Sequence, residues 1–312
     1  MAKVLSNTLE NIIHLAEVLN NGEVVAFPTD TVYGLGSIAT NETSLLKLYD
    51  YKKRPKNNPL VLYLHDILQT EEYLIVNDIF YRIAEKFLPG AITLILNKKS
   101  NSKIHPLCSN YTNKLGLRIP NNETCLKLLS HVKNPIVATS GNLSSQISPT
   151  TANHVLENFK NTDLLILNDN NVLEGIESTI LDISEEDNIT LLRYGAITLE
   201  QLQELNLKIN VKIADNSLNS YTFKTKICLN SLEIKENEGL LAFGKIDIHL
   251  PNSVIVLNLS ESGNLKEASQ NLFAMLIKLE NMNLKKIHIM SIPNVGLGVS
   301  INQRLLKLPK EE

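Results

Sequence analysis

The sequence lacks long apolar runs, a signal segment at its N-terminus and paired cysteines. None of its apolar stretches approaches the roughly 18 residues that a membrane-spanning helix needs, and its first residues contain no apolar signal-peptide core. We therefore predict a cytoplasmic protein without a membrane segment. Cys108, Cys125 and Cys228 stand far apart, with no Cys-x-x-Cys pair and no paired histidines. This spacing excludes a disulfide framework and a zinc motif of short spacing, and it predicts buried, apolar cysteines.

An excess of charge of one sign is also absent. The chain has 30 basic and 33 acidic residues and a net charge of -3, which disfavours a protein covered by nucleic acid but is compatible with a local basic patch. Its seven histidines are scattered singly, and no carboxylate pair stands at catalytic spacing, so the sequence predicts little acid–base catalysis by side chains. Its 312 residues exceed the usual size of one compact core, which predicts two domains.

Short apolar runs alternate with helical patterns along about two thirds of the chain, which is typical of an α/β domain. The opening helix has apolar residues at helical spacing from Leu9 to Leu19, and Asn7 with Glu10 predicts a capping box at its start. The strands predicted in this part are 24–27, 60–64, 92–96, 115–119, 136–139, 164–167 and 179–183.

The periodicity fades at 208–223, which we interpret as a linker between a catalytic domain at 1–207 and a C-terminal α/β domain at 224–312. An amphipathic helix at 265–279 is predicted in the second domain. The strands predicted around it are 226–229, 240–243, 254–259 and 287–291.

The first candidate site is the segment AFPTDTVYGLG at 26–36, where a buried strand stops and hydroxyl groups follow. Thr29, Thr31 and Tyr33 offer donors and acceptors at alternate positions, and the backbone at Gly34 and Gly36 allows close approach of a ligand. A strand-to-helix connection with good turn residues is the alternative.

The second candidate is the chain's one dense basic cluster, KLYDYKKRPKNNPL at 47–60. Pro55 sets a fixed break in the local structure after Arg54, so an exposed cationic loop is predicted here. In that loop Arg54 and Lys52 would bind phosphate oxygens. A solvated helix face is the alternative. No Gly-x-x-x-x-Gly-Lys sequence is present, so a P-loop is excluded.

The third candidate is KLGLRIP at 114–120, whose alternation places Lys114, Gly116 and Arg118 on one face of a strand and apolar residues on the other. A glycine between two cations leaves room for an anion. An arginine paired at the protein surface is the alternative.

Hydroxyl groups also follow the predicted strand at 136–139, where Ser140 and Asn142 lie on one side of its exit. Ser148 precedes Pro149, which predicts a helix N-cap, and a helix N-terminus favours phosphate. Ser178 and Arg193 stand at the edges of two further strands; a turn hydroxyl and a surface cation are their plainer interpretations.

Taken in order, these segments resemble the threonylcarbamoyl-AMP synthases, the YrdC-like family, in the long form with a second C-terminal domain. The hallmark Lys-x-Arg and Ser-x-Asn patterns occur as Lys52–Lys53–Arg54 and Ser140–Gly141–Asn142. The other matching segments are PTDTVYGLG, LPGAITLIL, LGLRIP, SPTTA and ESTI, followed by NLFAMLIKLE and IPNVGLGVSINQRL in the second half.

This resemblance implies a YrdC-like twisted open sheet with flanking helices and a smaller, Rossmann-like α/β C-terminal domain. It implies a nucleotidyltransferase that converts ATP, L-threonine and bicarbonate or carbon dioxide into threonylcarbamoyl-adenylate and pyrophosphate. Mg²⁺ is the expected counter-ion. A downstream tRNA threonylcarbamoyl transferase would use the product to modify the adenosine beside the anticodon, and a weak contact with tRNA is expected.

The resemblance also implies roles for individual residues, and no metal ligand is among them. Catalysis is assigned to Lys52 and Arg54. The L-threonine site is assigned to Thr31, Tyr63, Arg118, Ala138 and Ser178. The ATP site is assigned to Arg54, Asn58, Lys114, Ser140, Asn142, Ser148, Arg193 and Tyr221.

The chain departs from the family pattern at three places. Tyr63 stands where a histidine is usual, with His65 two residues on, and Lys114 replaces a small hydroxyl residue. Within the linker, only Tyr221 matches the family's usual segment.

Two other functions fit parts of the sequence. An RNA-binding module would use the basic cluster, but only Tyr49 and Tyr51 offer bases a stacking surface there. A carbamoyl-transfer domain of hydrogenase maturation proteins shares the hallmark motifs, but its zinc-finger segments need cysteine pairs that this chain lacks.

Overall fold

The computed structural model describes residues 1–169, 174–213, 220–230 and 233–309. Within these ranges the chain forms two sheets, each with its own helices. The strands of the first sheet are Lys3–Leu5 (β1), Val25–Phe27 (β2), Gly34–Ile38 (β3), Val61–Tyr63 (β4), Leu74–Ile75 (β5), Ile92–Lys98 (β6), Lys114–Arg118 (β7), Ile136–Ser140 (β8), Leu165–Leu167 (β9), Thr179–Asp182 (β10), Ile189–Arg193 (β11) and Ile209–Val211 (β12).

Seven α-helices accompany this sheet in the described part of the chain, together with two short 3-10 helices, Ile67–Gln69 and Pro106–Ser109. The α-helices are Leu9–Asn20 (α1), Glu42–Lys52 (α2), Thr70–Tyr73 (α3), Asp78–Phe87 (α4), Glu123–His131 (α5), Ala152–Phe159 (α6) and Leu199–Gln203 (α7). The first sheet and these helices form the N-terminal lobe. Its strand order is β1-β9-β2-β3-β8-β4-β7-β6-β10-β11-β12, with β5 paired to β6.

The first sheet is mixed, as an α/β fold with long connections allows. β3 pairs antiparallel with both β2 and β8, whereas β4 pairs parallel with β7 and β6 pairs parallel with β10. Apolar clusters lie on both sides of this sheet: Ala26 and Val137 of β2 and β8 belong to one buried cluster, and their neighbours Phe27 and Ala138 belong to another on the opposite face. The predicted α/β sheet is therefore confirmed.

The second sheet is four-stranded and parallel throughout, as a Rossmann-like unit requires. Its strands are Lys226–Leu229 (β13), Gly239–Ala242 (β14), Ile255–Asn258 (β15) and Lys286–Ile289 (β16), in the order β13-β16-β14-β15. Its helices are Leu265–Glu280 (α8) and Leu297–Leu305 (α9). These six elements form the C-terminal lobe.

Apolar side chains join the two lobes. Val32, Ile147 and Ile176 of the N-terminal lobe belong to the same buried cluster as Phe273 and Ile301 of the C-terminal lobe. The N-terminal lobe is therefore packed against the C-terminal lobe. In the described part of the chain, no helix has both the length and the apolar character needed to cross a membrane.

Two predicted helix caps are wrong. The α1 helix is capped by Thr8, whose side chain accepts a hydrogen bond from the Asn11 backbone, and not by Asn7. The α6 helix begins at Ala152 with Thr151 as its N-cap, so Ser148 does not cap it. In both cases a neighbouring threonine supplies the capping oxygen, because several hydroxyl or amide side chains precede the helix.

The sequence pattern did not predict β1, β3, β5 or β12, and the strand-to-helix connection expected after β2 is wrong, because β3 follows it. The β3 strand contains two glycines, and its pairing depends on β2 and β8 on either side. The β12 strand lies inside the predicted linker and pairs with β11 of the first sheet. Residues 214–219 of that linker lie outside the described residues, and the domain bounds stay a prediction.

Candidate active site

A cavity of about 460 Å³ lies on one face of the first sheet, across β4, β7, β6 and β10. Alternate residues of each strand face it, because successive side chains of a strand point to opposite faces. Most of the predicted site residues line it together: Thr31, Arg54, Tyr63, Lys114, Arg118, Ala138, Ser140, Ser178 and Arg193. Lys52, Asn58, Asn142, Ser148 and Tyr221 are not among its lining residues.

Arg118 is a buried cation in the wall of this cavity, with only 3% of its surface exposed. Its Nη2 lies 2.5 Å from Asp30 Oδ1, and its Nη1 donates to the Tyr63 hydroxyl at 3.3 Å. Burial opposes the charge, but Asp30 beside it raises the pKa of Arg118. Within the described structure the Arg118 Nε has no hydrogen-bond partner. The arginine is thus paired, as the plainer interpretation had it, but inside the protein rather than at its surface.

The threonines after β2 form a hydroxyl cluster beside Arg118. The Oγ1 atoms of Thr29 and Thr31 are 3.1 Å apart, and both side chains are buried. Tyr33 is directed elsewhere, because its hydroxyl donates to the Asp169 carbonyl at 2.8 Å, and burial raises its pKa to about 12. Gly36 is packed under a ring: a Cβ there would lie 2.7 Å from Phe27. Gly36 thus serves packing of the sheet, and Gly34 lines the cavity.

Lys52 is buried rather than exposed, which corrects the prediction of an exposed cationic loop. It ends α2 with 2% of its surface accessible, and its Nζ donates to the Ser140 carbonyl at 2.5 Å and to the Asn142 carbonyl at 2.9 Å. Burial and the neighbouring Arg54 lower the pKa of Lys52 well below its usual value. Lys52 therefore fixes the Ser-x-Asn segment from behind the cavity wall.

Arg54 reaches the cavity itself. Its Nε donates to the Asn58 carbonyl at 3.3 Å and its Nη2 to the Pro59 carbonyl at 2.9 Å. Asn58 thus supports Arg54 through its backbone. Lys47, in the same basic cluster, forms a half-exposed ion pair with Glu23. For Lys47, the alternative of a solvated helix face is therefore correct.

Glu177 is a charged residue of the cavity wall that the sequence pattern did not indicate. Its Oε1 accepts from the Ser148 hydroxyl at 2.9 Å, and its Oε2 lies 3.0 Å from Nε of Arg304 in α9. Burial alone would raise the pKa of Glu177, but Arg304 and Arg193 hold it at about 2. Ser148 is therefore a partner of a buried carboxylate. The one available signal was an acidic residue at the start of the apolar β10 segment.

Arg193 and Ser178 form a second contact on the same wall. Arg193 donates from Nε to the Ser178 carbonyl at 2.9 Å and from Nη2 to the Ser178 hydroxyl at 3.0 Å. Burial lowers the pKa of Arg193 to about 10, against the opposing effect of Glu177. The Ser178 hydroxyl is also 2.8 Å from Thr93 Oγ1, so both hydroxyls have fixed positions.

Lys114 and Tyr221 lie at two other margins of this region. Lys114 is part exposed and pairs with Asp182 at 3.1 Å and Glu185 at 3.5 Å. Tyr221 lies near the end of the predicted linker, and its backbone NH donates to the Lys307 carbonyl at 2.8 Å. Burial first, and then the nearby Glu177, raise the pKa of Tyr221. The tyrosine thus stays a neutral hydroxyl close to the Glu177 wall.

The residues around the cavity do not form a protein metal site. No group of three histidine, cysteine, aspartate or glutamate side chains with metal-ligand geometry occurs in the residues described. Glu177 is held by Arg304 and Asp182 by Lys114. The side chains around the cavity would therefore hold a magnesium ion only together with a phosphate-bearing ligand.

Comparison with known proteins gives two family-model matches. The Sua5/YciO/YrdC model, described as telomere recombination, matches residues 17–195. The model of the C-terminal domain of threonylcarbamoyl-AMP synthase matches residues 148–307.

Full-length relatives are similar along nearly the whole chain. The threonylcarbamoyl-AMP synthase of Bacillus subtilis is 30% identical, over 97% of this chain and 94% of its own length. The one of Pyrococcus abyssi is 28% identical, over 94% of this chain and 92% of its own length. The crystal structure of P. abyssi Sua5 complexed with L-threonine has the same fold, with a TM-score of 0.87, 24% identity and full coverage of both chains.

Proposed function

The chain belongs to the Sua5/YciO/YrdC family, in the form that carries the C-terminal domain of the threonylcarbamoyl-AMP synthases, and we propose that it makes threonylcarbamoyl-adenylate from L-threonine, bicarbonate or carbon dioxide, and ATP. The observation that carries this proposal is one cavity with a fixed arginine at each of three places, Arg118, Arg54 and Arg193, and hydroxyl groups between them. Such a cavity suits two anionic substrates and offers no obvious general base.

We assign the threonine end of the cavity to Arg118 and its neighbours. The Arg118 guanidinium, which Asp30 fixes in the cavity wall, suits the substrate carboxylate, because a charge-assisted pair with a fixed side chain loses little side-chain entropy. Thr31 and Ser178 offer hydroxyls to the substrate's polar groups, and Ala138 and Tyr63 offer apolar surface. Tyr63 takes the place of the family's usual histidine and contacts Arg118 directly.

The nucleotide end is assigned to Arg54, Ser140 and Arg193, which face the cavity. Arg54 is placed to neutralise phosphate charge, and Lys52 acts through Ser140 and Asn142, which it holds. Four further residues are assigned to the ATP site. Asn58 supports Arg54 from behind, and Lys114 lies at the open margin of the cavity. Ser148 acts by its hydrogen bond to Glu177, and Tyr221 lies close to Glu177.

The proposed chemistry is a nucleotidyl transfer in two bond-forming steps. The threonine amine attacks carbon dioxide and loses a proton, which gives a carbamate. A carbamate oxygen then attacks the α-phosphorus of ATP, a new P–O bond forms, and the bond to pyrophosphate breaks. Neither step requires a covalent enzyme intermediate, so positioning and charge neutralisation supply most of the rate increase. Magnesium, arriving with ATP, would add positive charge at the phosphates.

The product is a mixed anhydride that water hydrolyses, so it must be transferred soon after it forms. We propose that a tRNA threonylcarbamoyl transferase in the cytoplasm consumes it, with at most a weak contact between this chain and tRNA. The basic cluster gives little support to the RNA-binding alternative, because Lys52 is buried and Lys47 is paired with Glu23.

The test is pyrophosphate release in complete mixtures and in mixtures that omit ATP, threonine or bicarbonate in turn. Release should require all three, and Arg54→Ala should lower kcat/KM for ATP about 10- to 100-fold, since one charge-assisted contact is worth roughly 1.5–3 kcal/mol. Lys56→Ala, an exposed position in the same cluster, is the matched control. Release that continues without threonine would contradict the proposal.

A further inference from the structure

One helix of the C-terminal lobe makes polar contacts with the cavity wall of the N-terminal lobe. Arg304 in α9 has 3% of its surface exposed, and its Nε lies 3.0 Å from Glu177 Oε2. Its Nη1 donates to the Tyr194 carbonyl at 2.5 Å, and the Ser300 hydroxyl donates to the Gly195 carbonyl at 2.7 Å. The α9 helix therefore holds both a cavity carboxylate and the turn that follows Arg193.

The two segments that α9 contacts are packed backbone to backbone. The Ala196 NH donates to the Glu177 carbonyl at 3.2 Å, and Arg193 donates to Ser178. A Cβ on Gly195 would lie 2.2 Å from the Thr179 nitrogen, so no larger residue fits between the segments. A displacement of either segment would therefore move Ser178 and Arg193 together.

Charge makes Arg304 more than a packing contact. Glu177 is a carboxylate in the wall of a cavity that we assign to anionic substrates, and in the described structure its ion pair within 4 Å is with Arg304. Arg193 is the other cation that strongly affects it, and Lys52, Tyr221 and Lys307 lie within its electrostatic reach. Without Arg304, the buried carboxylate would attract Arg193 away from Ser178 and repel the nucleotide phosphates.

We propose that Arg304 is a positioning residue of the active site: it neutralises Glu177 and fixes the 193–195 turn, which keeps Arg193 and Ser148 in place for ATP. This inference rests on the proposed function and extends it, because it makes the C-terminal lobe a part of the nucleotide site. Arg304 itself is not among the residues that line the cavity.

Steady-state kinetics and calorimetric binding of ATP to the full chain test this role. Arg304→Met should raise the KM and Kd for ATP about tenfold or more, while the KM for threonine changes less than threefold. Arg304→Lys should recover part of the loss, because a lysine restores the charge but not the contact with the Tyr194 carbonyl. Glu177→Gln combined with Arg304→Met should bind ATP better than Arg304→Met alone, since no unpaired carboxylate is left.

Arg82→Met is the matched control, because Arg82 is exposed and bonds a backbone carbonyl in a different region, that of Leu205. Thermal unfolding verifies that each variant is folded. If Arg304→Met does not fold, Ser300→Ala and the double variant take its place, with a raised Kd for ATP as the expected result.

Unchanged ATP binding and unchanged kinetics in folded Arg304→Met would overturn the proposal. An equal loss in the double variant would also overturn it, because the effect would then not pass through Glu177. A wild-type chain that binds ATP but releases no pyrophosphate would contradict the proposed function instead, and the ATP affinities of the variants would still decide the role of Arg304.

Discussion

Two buried pairs of arginine and carboxylate each hold a residue of the cavity wall, and they differ in where the partner of that residue comes from. Arg118 and Asp30 both belong to the N-terminal lobe, at β7 and at the exit from β2. Glu177 belongs to the N-terminal lobe, but its partner Arg304 comes from the C-terminal lobe. The Arg118 wall is thus fixed by an ion pair within one lobe, and the Glu177 wall is fixed by an ion pair that joins the two lobes.

This difference separates the two proposed substrate sites. The Arg118 wall is set by strand pairing, since Tyr63 and Arg118 are register partners of β4 and β7. The Glu177 wall is complete only when α9 is docked. We infer that threonine recognition depends on the folding of the N-terminal lobe, whereas nucleotide recognition also depends on how the lobes are joined.

The largest expected effect comes from breaking the pair inside the N-terminal lobe. Arg118→Met leaves Asp30 buried without its cation, which costs about 3–5 kcal/mol of unfolding free energy, and it removes the proposed carboxylate anchor. Urea unfolding and threonine-dependent pyrophosphate release measure the two effects. Asp30→Asn added to Arg118→Met should restore stability but not activity. Wild-type turnover in that double variant would remove Arg118 from threonine binding.

The pair between the lobes predicts a specific dependence of stability on pH. The pKa of Glu177 in the folded chain is about 2, below its ordinary value of 4.5. The carboxylate therefore contributes stability above about pH 4.5, and this contribution, on the order of 3 kcal/mol, is lost as the pH falls towards 2. Glu177→Gln lacks this contribution, so the difference in unfolding free energy between wild type and variant should shrink on acidification. Parallel curves would contradict it.

A smaller effect is expected in substrate selectivity, which tests whether the Arg118 wall and the Glu177 wall act independently. Threonine should be preferred over serine about 10- to 200-fold in kcat/KM, because one methyl group in a pocket is worth roughly 1–3 kcal/mol. Threoninol, which lacks the carboxylate, should be almost inert. Competition assays in Arg304→Met should give the wild-type ratio of threonine to serine. A changed ratio would show that the two walls are not independent.

The smallest effect is expected at the margin of the cavity. Lys114→Met removes a part-exposed ion pair with Asp182 and should change the unfolding free energy by less than about 1 kcal/mol. Lys86→Met removes the ion pair of a similarly exposed lysine with Glu204 and is the control. Only Lys114→Met should raise the KM for ATP, by a few-fold and more at low salt. Equal KM values would take Lys114 out of the ATP site.

The strands that carry the site were predictable because their signals are local. The alternation in β7 placed Lys114 and Arg118 on one face, and both line the cavity. The burial of Lys52 was not predictable, because a run of cations indicates a solvated or phosphate-binding loop. Its partners are Ser140 and Asn142, 88 and 90 residues away, and nothing in the local sequence identifies them. Ser148 was misinterpreted for the same reason, since its partner Glu177 is 29 residues away.

By itself the sequence determined the α/β class, the order of the motifs, the family and most of the residues that share the cavity. These depend on periodicity of two or 3.6 residues and on short motifs, which are properties of neighbouring positions. The tertiary structure alone decided which charges are neutralised and by which lobe. Arg304 and Glu177 are 127 residues apart, and their charges become interdependent only when packing of the two lobes removes water from both.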